Sequence, residues 1–143
     1  MKRFLLIVLL GWMALPVFAQ ATVSESTLQK RENRKGMILE EWNKAVGSNT
    51  PFLDHKTTYD AYGRKIEEVE YASYGQKSRV VSEYPSNSDE TAKVVREIEY
   101  NDRDRVVRIR EFEYNDDGTK KRQLNYYPNG KLESVKVYKY VIP

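Results

Sequence analysis

Seven tyrosines, Tyr59, Tyr71, Tyr84, Tyr100, Tyr114, Tyr126 and Tyr138, recur at spacings of 12, 13, 16, 14, 12 and 12 residues. That period is too short for a helical repeat and fits one strand plus one turn. Five of the tyrosines open similar short segments: Tyr59-Asp60-Ala61-Tyr62-Gly63, Tyr71-Ala72-Ser73-Tyr74-Gly75, Tyr100-Asn101-Asp102-Arg103-Asp104, Tyr114-Asn115-Asp116-Asp117-Gly118 and Tyr126-Tyr127-Pro128-Asn129-Gly130. Asp or Asn suits the first position of a type I turn, Pro the second, and Gly a left-handed fourth position. Asp104 stands where the other segments have Gly, and Asp tolerates left-handed backbone better than most residues. Tyr84 is followed by a longer polar loop, Pro85-Ser86-Asn87-Ser88-Asp89-Glu90.

The runs between the turns, Lys65–Tyr71, Lys77–Tyr84, Lys93–Tyr100, Arg105–Tyr114, Thr119–Tyr126 and Lys131–Tyr140, are rich in Val, Ile, Tyr and Phe. Val94, Arg96, Ile98 and Tyr100 alternate with Val95, Glu97 and Glu99, the period of a strand. Val107 and Ile109 share one parity, Phe112 and Tyr114 the other, which a bulge or burial of both faces explains. The pattern predicts an all-β fold: an antiparallel meander of about seven or eight strands in an open twisted sheet. With 31% of residues charged, the core is expected to be thin and built from aromatic and β-branched side chains. One strand per unit places successive tyrosines at alternate ends of the sheet. Each then faces the start of the next strand, where Arg64, Arg105 or Lys131 would lie over a ring; plain packing at a half-exposed strand end is the competing reading.

Residues 1–19 read as a signal peptide. Met1-Lys2-Arg3 is basic, Phe4 to Leu15 is apolar, and Val17 and Ala19 are the small residues a signal peptidase reads, leaving Gln20 first. The apolar run is about a dozen residues, whereas a membrane span needs about 20. Residues 20–35 are polar and expected to be a flexible lead with room for a helical turn. Residues 36–143 form the repeat domain. Its opening is ambiguous: Met37, Ile38, Glu41, Trp42 and Ala45 would share one face of a short helix, or Gly36 opens a strand running through Trp42, with a loop over 45–51 and a second strand over 52–59.

The segment Tyr59-Asp60-Ala61-Tyr62-Gly63-Arg64 resembles the tyrosine-aspartate (YD) repeat of Rhs-type bacterial surface and toxin-shell proteins. Tyr127-Pro128-Asn129-Gly130-Lys131-Leu132 is similar to MORN-like repeats. Together with the leader and Trp42-Asn43, residues 36–140 resemble small exported β-repeat proteins of the Bacteroides group. The resemblance implies hairpins and export, and no particular activity.

Export predicts a secreted or periplasmic protein, free of the membrane once the leader is removed. No cysteine is present, which excludes disulfides, thiolate metal sites and a lipidated N-terminus. Of 24 basic residues two lie in the leader, so the remainder carries 22 against 21 acids, a net charge of +1. That balance argues against nucleic-acid binding.

Three functional readings follow. The leading one is a non-catalytic binding or structural module for an extracytoplasmic protein or glycan. Its candidate contact residues are Trp42, Tyr62, Tyr74 and Tyr127, and sheet edges offer a route to homo-oligomers. An enzyme would have to use the single histidine, His55, or a carboxylate pair acting on a glycosidic bond. No nucleophile or metalloprotease motif supports it. Binding of an anionic polymer would draw on Lys120, Lys121 and Arg122 with Arg103, Arg105, Arg108 and Arg110. No cofactor is expected, and Asn115-Asp116-Asp117-Gly118 reads as a turn rather than a calcium loop.

Overall fold

The computed structural model describes residues 21–143, so the leader at 1–19 and Gln20 lie outside the described residues. One helix, α1 (Glu25–Glu32), precedes eight strands: β1 (Ile38–Asn43), β2 (Phe52–Tyr59), β3 (Lys65–Ala72), β4 (Gly75–Glu83), β5 (Arg96–Tyr100), β6 (Val106–Tyr114), β7 (Lys120–Tyr126) and β8 (Leu132–Val137). They form one antiparallel sheet in sequence order, an open meander. The ambiguous segment around Trp42 is a strand, β1. No described helix is long and apolar enough to cross a membrane.

Four connections share one hydrogen-bond pattern. In each, the first turn residue (Asp60, Asn101, Asn115 or Tyr127) accepts from the N–H three residues on and donates to the carbonyl four residues on. The fourth position is left-handed: Gly63, Asp104, Gly118 and Gly130 have φ of 72°, 61°, 85° and 85°. Side-chain oxygens lock these turns. Asp60 and Asn101 each accept two backbone N–H groups, and Asp117 and Asn129 each accept one. The β3–β4 connection departs from the expected form. Ala72 pairs directly with Gly75, leaving a two-residue loop, Ser73-Tyr74. The other four turns have an Asx acceptor at the first or third position, and here neither Ala72 nor Tyr74 supplies one, so the Asx-locked turn is not stabilised.

Register slips by one residue beside each of these turns, between Thr58 and Tyr59, Glu99 and Tyr100, Glu113 and Tyr114, and Asn125 and Tyr126. The partner strands contribute the extra residues Ile66, Val107, Lys121 and Glu133. Val107 is thus a bulge residue. Ile109 and Phe112, three positions apart on β6, face opposite sides of the sheet.

The sheet is a single layer. Val69, Ala92 and Phe112 are the buried hydrophobic residues among those described. One face carries a row of cross-strand partners, Val81, Ile98, Ile109 and Tyr126, with Leu124 and Val135 beside it. Ion-paired arms flank this row: Arg79–Glu67 at 3.2 Å, Arg96–Glu83 at 3.4 Å and Arg122–Glu113 at 2.6 Å. Their methylene stems shelter apolar surface while the charged ends stay wet. The other face is polar in its middle, where Arg110 bridges Glu97 (3.1 Å) and Glu99 (2.7 Å).

Residues 21–35, the described part of the expected flexible lead, hold a two-turn helix and are tied down as a strap. Ser24 caps α1, accepting from the Thr27 N–H. Val23 N–H donates to the Thr91 carbonyl, and Thr22 bridges Ala92. Arg31 donates to the Ala92 carbonyl at 2.8 Å and to that of Glu90. Gly36 N–H then reaches Asp60 O at the β2–β3 turn. The strap therefore runs past the β6–β7, β4–β5 and β2–β3 connections, which lie at one end of the sheet, and caps that end. The anchoring cation and the cap hydroxyl are what a reading of polarity alone overlooks.

Candidate functional site

Between the strap and the sheet lie two adjoining cavities that share Arg31 and Tyr84. One, of about 220 Å³, is lined by Thr27, Lys30, Arg31, Arg34, Tyr59, Gly63, Lys65 and Tyr84. The second, of about 390 Å³, adds Val23, Lys93, Val94, Tyr114, Gly118 and Lys120. Together they make an open groove whose lining includes tyrosines and cations and no carboxylate.

The repeat builds this groove. Strands β2, β4 and β6 all end at the capped end, so their terminal tyrosines, Tyr59, Tyr84 and Tyr114, stand on the same face of the sheet, every second strand. Backbone carbonyls fix two of the rings: the Tyr84 hydroxyl donates to Lys65 O at 3.0 Å and the Tyr114 hydroxyl to Val94 O at 2.6 Å. Cations lie against all three. Arg34 is 5.3 Å from the centre of the Tyr59 ring, Arg64 4.5 Å and Arg31 5.7 Å from that of Tyr84, and Lys93 5.2 Å from that of Tyr114. Lys120 continues the row at 5.9 Å from the Tyr138 ring.

The direction of these contacts differs from expectation. Tyr84, Tyr114 and Tyr138 receive cations from the start of the strand before their own (Arg64), the residues leading into it (Lys93), or its first residue (Lys120), not from the strand that follows. Antiparallel pairing brings the starts of both neighbours, β3 and β5, beside the end of β4, and the ring meets its cation on the β3 side. Arg105 and Lys131 make no such contact among the described residues.

The charged side chains of the lining are all cationic. Arg31 is half-buried and bonded only to neutral carbonyls, and burial together with the nearby Arg64 charge lowers its pKa. Burial raises the Tyr84 phenol against the pull of Arg31 and Arg64. It pushes Tyr114 up to about 12, with Glu97 adding to the effect. Acids stand at this end too, outside the lining: Glu90 and Asp116 lie in the connections, and three others have partners of their own. Asp60 pairs with Arg64 at 2.8 Å, while Asp89 and Asp117 accept from Thr91 and Thr119 within their own loops.

Trp42, Tyr62, Tyr74 and Tyr127 do not converge. Trp42 lies near the end of β1, 57% exposed, its indole donating to Glu40 at 3.1 Å. Tyr74, 69% exposed, and Tyr127 sit in the β3–β4 and β7–β8 turns, at the same end as Trp42 but spread along the sheet. Tyr62 is at the opposite, capped end, with Arg64 4.9 Å from its ring centre. In the sequence the groove tyrosines stand out as repeat anchors and Lys120 as part of the basic run Lys120-Lys121-Arg122. Lys30, Arg31 and Arg34 carried one signal, the capping Ser24 ahead of a run of helix formers.

His55 stands 3.1 Å from Asp54 at the sheet surface. Every resolved shift of a carboxyl is downward: hydrogen bonds lower Glu70, Asp89, Asp104, Glu113 and Asp117. Among the described residues no cluster of three or more His, Cys, Asp or Glu is placed to hold a metal.

No protein-family model and no curated protein matches the chain. Among solved structures it is similar to an S. aureus TarM mutant in complex with fondaparinux, alpha-GlcNAc-glycerol and UDP. Identity is 14%, the match covers 85% of this chain and 23% of that one, and the TM-score is 0.30. A likeness that slight carries no argument about fold or activity.

Proposed function

We propose that this is a non-catalytic binding protein acting outside the cytoplasm, and that the groove beneath the strap is where it holds its ligand. The carrying observation is the lining itself: rings fixed by backbone hydrogen bonds and cations with no carboxylate among them. Such a surface retains a ligand by charge and contact. It lacks the pair of carboxyl groups, one with a raised pKa, that glycoside hydrolysis needs. An extracytoplasmic glycan or protein suits an exported chain, and the open edges at β1 and β8 leave room for self-association.

The test is a glycan and envelope-protein screen at micromolar concentration, followed by NMR of the tyrosine rings. Ligand-dependent shifts at Tyr59, Tyr84 and Tyr114, with the ligand recovered intact, support the reading. Turnover of any polysaccharide that a single Glu→Gln change abolishes would sink it.

A further inference from the structure

Resting on that reading, we infer that the ligand is a linear acidic polysaccharide carrying about one negative charge per disaccharide. The inference comes from spacing, charge and shape. Tyr59, Tyr84, Tyr114 and Tyr138 close or follow β2, β4, β6 and β8. With adjacent strands about 4.8 Å apart, they recur roughly every 10 Å across the sheet. That step is close to the length of one disaccharide in an extended sugar chain. Each ring has a cation beside it: Arg34 at Tyr59, Arg31 with Arg64 at Tyr84, Lys93 at Tyr114, and Lys136 with Lys120 at Tyr138, Lys120 lying closer still to Phe112. The capped end thus presents positive charge at disaccharide intervals.

These charges are available. Arg64 is neutralised by Asp60, but Lys30, Arg31, Arg34, Lys93 and Lys120 take part in none of the ion pairs found among the described residues. Lys93 donates to Gly118 O at 2.6 Å, a neutral partner, and the carboxylate that feels its charge, Asp117, lies outside the lining and forms no ion pair with it. Outside the leader the protein is nearly neutral, and the acids of this end (Asp60, Asp89, Glu90, Asp116 and Asp117) stand in the connections, outside the lining of the groove. The groove is open along its length, across two adjoining cavities, which suits a chain passing through rather than a small molecule enclosed. Single-stranded nucleic acid fits less well, because its phosphates are more closely spaced than these cations.

The test uses the purified protein and a panel of hyaluronate, polygalacturonate, neutral dextran, poly(dT) and polyphosphate, read by calorimetry. Hyaluronate, with one carboxylate per disaccharide, should bind, dextran should not, and affinity should fall about tenfold between about 50 and 200 mM salt. A K30Q/R34Q/K120Q variant should bind roughly tenfold more weakly. K77Q/R122Q, which removes charge far from the groove, should bind as the parent does. Equal losses in both variants, or tighter binding of poly(dT) or polyphosphate than of any acidic sugar, would overturn the inference, as would no acidic polysaccharide binding at all. If a neutral glycan or a protein instead binds and shifts the groove tyrosines, the binding function stands and the acidic ligand falls.

Discussion

Gly63 and Gly130 hold the same turn position, with φ of 72° and 85°, yet differ in what stands over them. A methyl at Gly63 would meet the Arg31 carbonyl oxygen at 1.8 Å, whereas nothing lies within 4 Å at Gly130. Gly130→Ala should therefore cost only the left-handed strain, about 1 kcal/mol. Gly63→Ala should cost clearly more, since backbone cannot swing aside and the strap must lift. Urea midpoints give the ranking, and amide exchange over residues 22–32 should speed up in Gly63→Ala alone. Tyr114 supplies a second expectation. Its folded pKa is raised from 10 to about 12, so the folded state keeps a proton that the unfolded chain releases first. That contribution is complete below pH 10 and is lost as pH climbs through about 12. Because the ring is only half-buried, solvent screening leaves a contribution on the order of 1 kcal/mol. A urea series from neutral to alkaline pH should show this decline, and Tyr114→Phe should flatten it.

At the scale of elements, the strands and most turns were legible because each unit repeats the same local chemistry. Aromatic residue, Asx acceptor and left-handed glycine fall in fixed order, and Asp104 occupies the left-handed position its place in that order requires, at φ 61°. Ala72 shows the limit. Neither it nor Tyr74 supplies the Asx oxygen that each of the four locked turns has at its first or third position, and the connection is two residues long. The bulges at Ile66, Lys121 and Glu133 were not legible, because a bulge depends on the partner strand's register rather than on local composition. The groove was half legible. Its tyrosines are the repeat itself, but its cations come from α1 and from β-strand neighbours whose pairing sequence spacing does not reveal. Trp42, Tyr62, Tyr74 and Tyr127 stand out in the sequence as aromatics in or near turns, and a meander sends successive turns to opposite ends.

At the scale of the whole molecule, each strand packs only against its neighbours in sequence. Such a chain gains stability unit by unit, as solenoids do. Removing residues 132–143, and with them β8, should leave a folded seven-stranded sheet. Its strand signal in circular dichroism should persist, with a lower urea midpoint and a shallower denaturant slope because less surface is exposed on unfolding. Loss of all strand signal would show the sheet to be indivisible instead. A one-layer meander also has no interior whose volume must be matched when its length changes. Duplicating one pair of units would widen the slab and add one more ring-and-cation step along its capped rim. The molecule is in that sense a measuring stick, its graduations set by copy number rather than by the contour of any cavity.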